Sequence, residues 1–189
     1  MRVAGPAERH RVHAATFTRL VGATSDWVAP TPVAGWAARD VVDHLVTWLP
    51  GFLAADDVVL PPGPTADDDP AGAWQHQVEA VQAILDDSGT GGRTFVNPHI
   101  GELPLADAID RFYTTDVFMH TWDLARAGGH PVALDEGECA ALLEGMAPMD
   151  DLLRSSGHYG PRVPVPESAS AMDRLVGFIG RDPAWRPAP

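Results

Sequence analysis

Apolar residues recur at three- and four-residue spacing along most of the chain, a pattern that predicts about five or six helices and almost no strand. A first helix over about residues 6–23 carries Phe17, Leu20 and Val21. After the loop APTPVAG (29–35), a second helix over about 37–55 lines up Val42, Leu45, Leu49 and Phe52/Leu53, with Pro50-Gly51 expected to kink it or end it early. The polar, proline-rich PPGPTADDDP leads into a third helix at about 70–87, whose N-terminus its aspartates suit. The stretch 88–104, SGTGGRTFVNPHIGELP, reads as an irregular crossover with one short alternating segment. A fourth helix runs from the first-turn Pro104 to the stop at Gly128-Gly129, and a fifth spans about 135–155 with a kink at Pro148. GPRVPVPESAS is extended, and AMDRLVGFIGRDPAW closes the chain with a short helix and tail. Long helices joined by one long crossover predict an all-α bundle. The length of 189 residues suits a single domain, residues 1–189, with the tail 160–189 packed on the bundle.

The fourth helix contains an anomaly. With Asp116 at zero on a wheel of about 100° per residue, Leu105, Ile109, Phe112 and Ala127 fall within about 40° of it, and Met119 and Tyr113 lie at the edges of the stripe. His120 and Asp123 fall there too. An isolated carboxylate in a packed interior costs several kcal/mol, so it must be paired, protonated or bound to a metal. Asp116 and His120 are one turn apart and can reach a common point. Two readings follow: an Asp–His hydrogen bond within the core, or two ligands offered to one metal ion. A carboxylate with imidazole suits Zn²⁺ best, and also Ni²⁺, Fe²⁺ or Mn²⁺.

A third ligand must come from a facing helix, and His44 is the leading candidate, at the edge of the second helix's stripe beside Val41 and Trp48. His10 and His13, flanked by Glu8, Arg9 and Arg11, read as a solvated face. His76 sits among Gln75, Gln77 and Glu79, while His99, His130 and His158 fall in loops. Asp123 could orient an imidazole from behind, or form a salt bridge with Arg126 or another helix's arginine. Trp48 and Tyr113 are the candidate walls of a ligand pocket; Trp122, about 120° off the stripe, is expected to pack against another helix. Cys139, in ECAALLEGM, reads as a small buried thiol rather than a nucleophile.

Charge and composition narrow the function classes. Thirteen basic residues against 26 acidic ones give −13, which repels phosphate backbones and argues against nucleic acid as a partner. All the basic residues are arginine, so Schiff-base chemistry on lysine is excluded. One cysteine rules out an intramolecular disulfide. The beginning MRVAGPAERHRVHAATF has no apolar signal region, and no run reaches the ~18 apolar residues of a membrane span, so a soluble, cytoplasmic protein is expected.

Three segments resemble a known family. GWAARDVVDHLVTW is similar to the second-helix motif of the DinB/YfiT-like superfamily, in the actinobacterial branch that includes the metal-binding domain of mycothiol-dependent maleylpyruvate isomerase. DVFMHTWDLARAGG resembles the same branch's D/E-x-x-x-H-x-W-D-L-A-R-A helix, and DRLVGFIGRDPAW the closing segment of its stand-alone metal-binding members. The resemblance covers about residues 10–185. It implies an up-and-down four-helix bundle with a short C-terminal helical extension, and a divalent metal held by His44, Asp116 and His120 near one end. Aspartate stands here where the isomerase has an acid of glutamate type, which bears on metal preference and denticity. It further implies mycothiol or a similar small thiol as cosubstrate and small electrophiles as substrates, the outcome being S-transfer or isomerisation at the metal centre itself. Homodimers occur among such bundles. Three protein ligands leave a coordination position open, the mark of a catalytic rather than structural site. A hydrolase using metal-activated water, an iron oxygenase triad and a non-catalytic metal or small-ligand binding module are the competing readings.

Overall fold

The computed structural model describes residues 4–98, 100–155 and 159–187. It is mostly helical with one small two-stranded sheet. Helix α1 spans Pro6–Ala23, α2 Ala38–Ala54 and α3 Pro70–Asp86. A single helical turn, α4 (Ser88–Gly91), leads into the antiparallel strands β1 (Thr94–Asn97) and β2 (Gly101–Pro104). Next come α5 (Leu105–Ala108), a π-helical segment (Ile109–Thr114) and α6 (Thr115–Ala127). Helix α7 (Glu136–Met146), a 3₁₀ turn (Ala147–Met149), α8 (Asp150–Ser155) and α9 (Ala171–Phe178) complete the order.

The helix starts follow local chemistry. Pro6 and Pro70 occupy first-turn positions, where the missing N–H costs nothing. The Asp69 carboxylate accepts from Gly72 N–H at 2.9 Å, and Asp40 accepts from Ala37 N–H at 2.7 Å to open α2. Of the two effects expected of Pro50-Gly51, an early end does not occur; α2 runs to Ala54, close to the expected 55, with Leu49 and Leu53 on its inner face fully buried. The crossover is also more regular than expected. Phe95, buried on β1, pairs with Leu103 of β2, and Gly101 takes the left-handed φ of +83° that the hairpin requires. The kink at Pro148 is present as the 3₁₀ turn between α7 and α8.

Two features of the 105–127 helix depart from the simple wheel. In the π segment, Thr115 N–H reaches back to Asp110 O, one residue further than in an α-helix. That insertion rotates the stripe by about one residue, or about 100°. Tyr113, expected at the edge, is fully buried, and Phe112, expected at the centre, is only half-buried. Second, α6 has no solvent face: every residue from 117 to 125 is buried. Its one side joins a core built with Phe17 of α1, Leu45 and Leu49 of α2, and Trp74 of α3. Its other side, through Phe118, Met119 and Trp122, joins a second core with Cys139 of α7 and Leu175, Phe178 and Ile179 of the C-terminal segment. Trp122 thus packs as expected. Among the described residues, no helix is long and apolar enough to cross a membrane.

Candidate metal centre

Helices α2 and α6 pack side by side and deliver the three side chains singled out from the sequence. His44 Nε2 lies 2.9 Å from Asp116 Oδ2, and His120 Nε2 lies 3.5 Å from Asp116 Oδ1. One ligand atom from each residue falls within 4.8 Å of the other two, close enough to hold a single metal ion. The side chains are graded in exposure, His44 26%, Asp116 18% and His120 6%, so solvent reaches the group from the α2 side.

Each member is held from behind. Trp48, one turn beyond His44, donates its indole N–H to Asp116 Oδ2 at 3.0 Å. His120 Nδ1 lies 2.9 Å from Asp123 Oδ2, inside the protein. A carboxylate only accepts, so Nδ1 carries a proton, and in the neutral ring Nε2 is then the nitrogen that presents its lone pair towards Asp116 and His44. Asp123 in turn receives Arg181, from Nε at 3.3 Å and Nη2 at 3.2 Å. Trp36, just ahead of α2, stacks on His120 with ring centres 5.7 Å apart and tilts over His44 at 5.2 Å.

The electrostatics favour charged acids here. Burial alone would raise the Asp116 carboxyl, but the His120 charge and the bonds from His44 and Trp48 outweigh it and hold the group below the usual range. Burial likewise opposes ionisation of Asp123, and the His120 hydrogen bond with the Arg181 charge overcomes it. Two imidazole nitrogens and a carboxylate are the donor set of Zn²⁺ and related divalent ions, and an inward Nδ1–H bonded to a carboxylate is the usual support of a metal-bound histidine. The residues present fit such an ion.

The sequence expectations fare unevenly. His44, Asp116 and His120 come together, and Trp48 contacts them directly. Tyr113 does not line an open pocket; it is fully buried behind Trp48, ring centres 5.8 Å apart, on the stripe of the buried Ile109. The two readings of Asp123 are both realised, since it bonds the imidazole and an arginine at once. That arginine is Arg181; Arg126 instead lies over the Trp122 ring at 5.0 Å. Trp36 and Arg181 were not singled out from the sequence, although Trp36 belongs to the second-helix motif and Arg181 follows the apolar LVGFIG run of the closing segment.

The solvated face expected around His10 and His13 is a correction. His10 is fully buried, its Nδ1 2.8 Å from Gln82 Oε1, and burial lowers its pKa. His13 Nε2 lies 3.0 Å from Glu138 Oε1, which Arg9 also holds at 2.5 Å. His76 bonds Pro61 O from an open position and His130 follows α6 in a loop, as expected. His99 and His158 lie outside the described residues. Cys139 is fully buried and its thiol is pushed up to about 12 by burial and three neighbouring acids, which suits packing and not nucleophilic attack. Tyr159 is a further neighbour of the site: burial first, then the Asp116 charge, pushes its hydroxyl up to about 12.

No family model and no solved structure matches the chain. Two proteins of Mycobacterium tuberculosis do: "Uncharacterized protein MT0763" of strain CDC 1551 / Oshkosh and "Uncharacterized protein Rv0738" of strain H37Rv. Each is 31% identical over 156 residues, which covers 80% of this chain and 83% of the relative. On that identity and coverage, the chain belongs to the same family as these two mycobacterial proteins.

Proposed function

We propose that this protein is a DinB/YfiT-like, up-and-down four-helix bundle that binds one divalent metal ion, with zinc the best fit, through His44, Asp116 and His120. We further propose that it uses the site to bring a small thiol of the mycothiol type to small electrophiles, as an S-transferase or isomerase. The packing of α1 on α3 and α6, and of α2 on α3 and α6, supports the bundle. The observation that carries the metal reading is the convergence of three ligand atoms within 4.8 Å, with His120 Nδ1 already committed to Asp123.

A divalent cation at this place would lower the pKa of a coordinated thiol or water, making a nucleophile available at neutral pH. The protein's own part is positional. Trp48 fixes the plane of the Asp116 carboxylate, and Asp123 fixes the His120 ring. Trp36 covers both imidazoles and keeps water from their ring faces. The sulfur would arrive with the cosubstrate, because Cys139 is sealed in the second core. A second reading, a non-catalytic metal or small-ligand binding module, is favoured by one observation. The side chains that support the triad are Trp36, Trp48 and Asp123, and none of them is a free general base.

Zinc-loaded protein incubated with mycothiol and a small electrophile separates the two. Thiol-dependent turnover that disappears on chelation, and returns with zinc, is the expected result. Zinc binding without turnover across a panel of electrophiles would favour the module, and turnover that needs no thiol would favour hydrolysis.

A further inference from the structure

We propose, resting on the metal reading above, that Arg181 is a positioning residue of the metal centre: from the C-terminal segment it clamps Asp123 and thereby fixes the orientation and tautomer of His120. The side chain is almost fully buried, with an exposure of 9%. Its guanidinium is engaged on three nitrogens. Nε and Nη2 fork onto the two oxygens of Asp123, and Nη1 donates to Ile179 O at 2.8 Å, which anchors the fork to its own backbone.

The backbone is shaped to deliver it. At the end of α9, Gly180 N–H bonds Gly177 O and Arg181 N–H bonds Val176 O, while Gly180 adopts a left-handed φ of +89°. A Cβ on Gly180 would stand 2.8 Å from the Gly160 backbone, so the turn admits no side chain. The chain therefore reverses sharply, and the next side chain enters the interior against α6. The partner was not dictated by proximity in sequence: Arg126, three residues from Asp123, points to Trp122 instead.

The fork matters because Asp123 is fully buried. Three hydrogen bonds meet on its carboxylate, one from His120 and two from Arg181. With Arg181 removed, the acid loses its countercharge and two of those bonds, and a single bond to an imidazole cannot hold it in one rotamer. His120 then has no fixed acceptor for Nδ1–H, and the proton is shared between the two ring nitrogens. Every molecule with the proton on Nε2 is unable to offer that nitrogen to an ion, so apparent affinity falls by the competent fraction. The loosened ring adds to the loss.

The test pairs ¹⁵N-histidine NMR of the metal-free protein with calorimetric titration of zinc ion, on the parent, Arg181→Met, Arg181→Lys and Leu175→Ala. The parent shows His120 as a single Nδ1–H tautomer. Arg181→Met shows averaged ring shifts and zinc affinity about 10-fold weaker. Arg181→Lys recovers part of both, since the ammonium restores the charge and one bond. Leu175→Ala opens the same tail core without touching Asp123, and lowers Tm alone. Arg181→Gln carries the same expectation as Arg181→Met if the latter does not fold. A neutral variant that keeps the single tautomer and the parent zinc affinity while losing thermal stability would overturn the proposal, leaving Arg181 as an anchor of the tail. If the parent binds no zinc the metal reading fails, and the tautomer in the metal-free protein still decides the role of Arg181.

Discussion

His10 on α1 and His120 on α6 are both buried, and each uses Nδ1 for a hydrogen bond of nearly the same length, 2.8 and 2.9 Å. Their surroundings differ in kind. His10 faces a neutral amide: Gln82 spends its Nε2 on Ala7 O and Asp86, which leaves Oε1 to accept from Nδ1–H. Its Nε2 has no hydrogen-bond partner among the described residues, and the nearest ring is Tyr113. His120 faces a buried carboxylate backed by a guanidinium, and its Nε2 looks at a second carboxylate and a second imidazole. Burial makes a histidine part of the core. What makes it a candidate ligand is ionised partners on one side and further ligand atoms on the other.

The largest expected effect separates the two directly. His120→Ala should reduce bound metal to background with the fold retained, as read by elemental analysis and circular dichroism, because Asp116 can then take up a proton. His10→Ala should do the opposite, keeping the metal and losing about 2–4 kcal/mol in a denaturant titration, the range for opening a core cavity. Equal metal loss in both variants would erase the distinction. A smaller effect is expected of Asp116→Asn, whose amide keeps the shape and loses the charge; zinc affinity should drop by at least about tenfold. Binding at parent strength would make the carboxylate a bystander.

The buried, neutral His10 also predicts a pH dependence. Its folded pKa lies below the unfolded value of 6.5, through burial first and then the charges of His13 and Arg11, with Gln82 and Asp86 opposing. The unfolded chain therefore binds the extra proton first. The stability contribution is complete above pH 6.5 and is lost as pH falls from there towards the folded value, by up to about 1.4 kcal/mol per pH unit. Comparing the stability of parent and His10→Gln between pH 7.5 and 5.5 checks it; parallel curves would show that His10 does not titrate on unfolding. The smallest effect belongs to Cys139→Ala, which should cost about 1 kcal/mol of packing and leave metal content and thiol-dependent turnover intact. Loss of turnover with metal retained would make the sealed thiol a participant.

Much of this was legible in the sequence. The ends of α1, α2 and α3 were readable because Pro6, Pro70 and the aspartates mark starts by local chemistry, and the kink at Pro148 for the same reason. Asp116 and His120 stood out because they lie one turn apart among apolar neighbours. The burial of His10 was readable too, since His10, Ala14, Phe17 and Val21 share a stripe. The adjacent charges of Arg9 and Arg11 obscured it, although residues next to each other on a helix face different ways. Arg9 itself is held by Asp110 and Glu138. Other features were not legible. A π turn inserts one residue without any change in composition, so the break in helical phase over Ile109–Thr114 left no trace in the pattern. Arg181 meets Asp123 across 58 positions of chain, and no periodicity reports a contact at that range.

The measurement that bears most directly on the account is a zinc titration of metal-free protein by calorimetry, on the parent and His44→Ala, with His10→Ala as the matched control. One zinc per chain is expected for the parent and for His10→Ala, and affinity at least about tenfold weaker for His44→Ala. A His44→Ala protein that binds zinc with the parent's affinity and stoichiometry would contradict the claim that α2 and α6 share one ion.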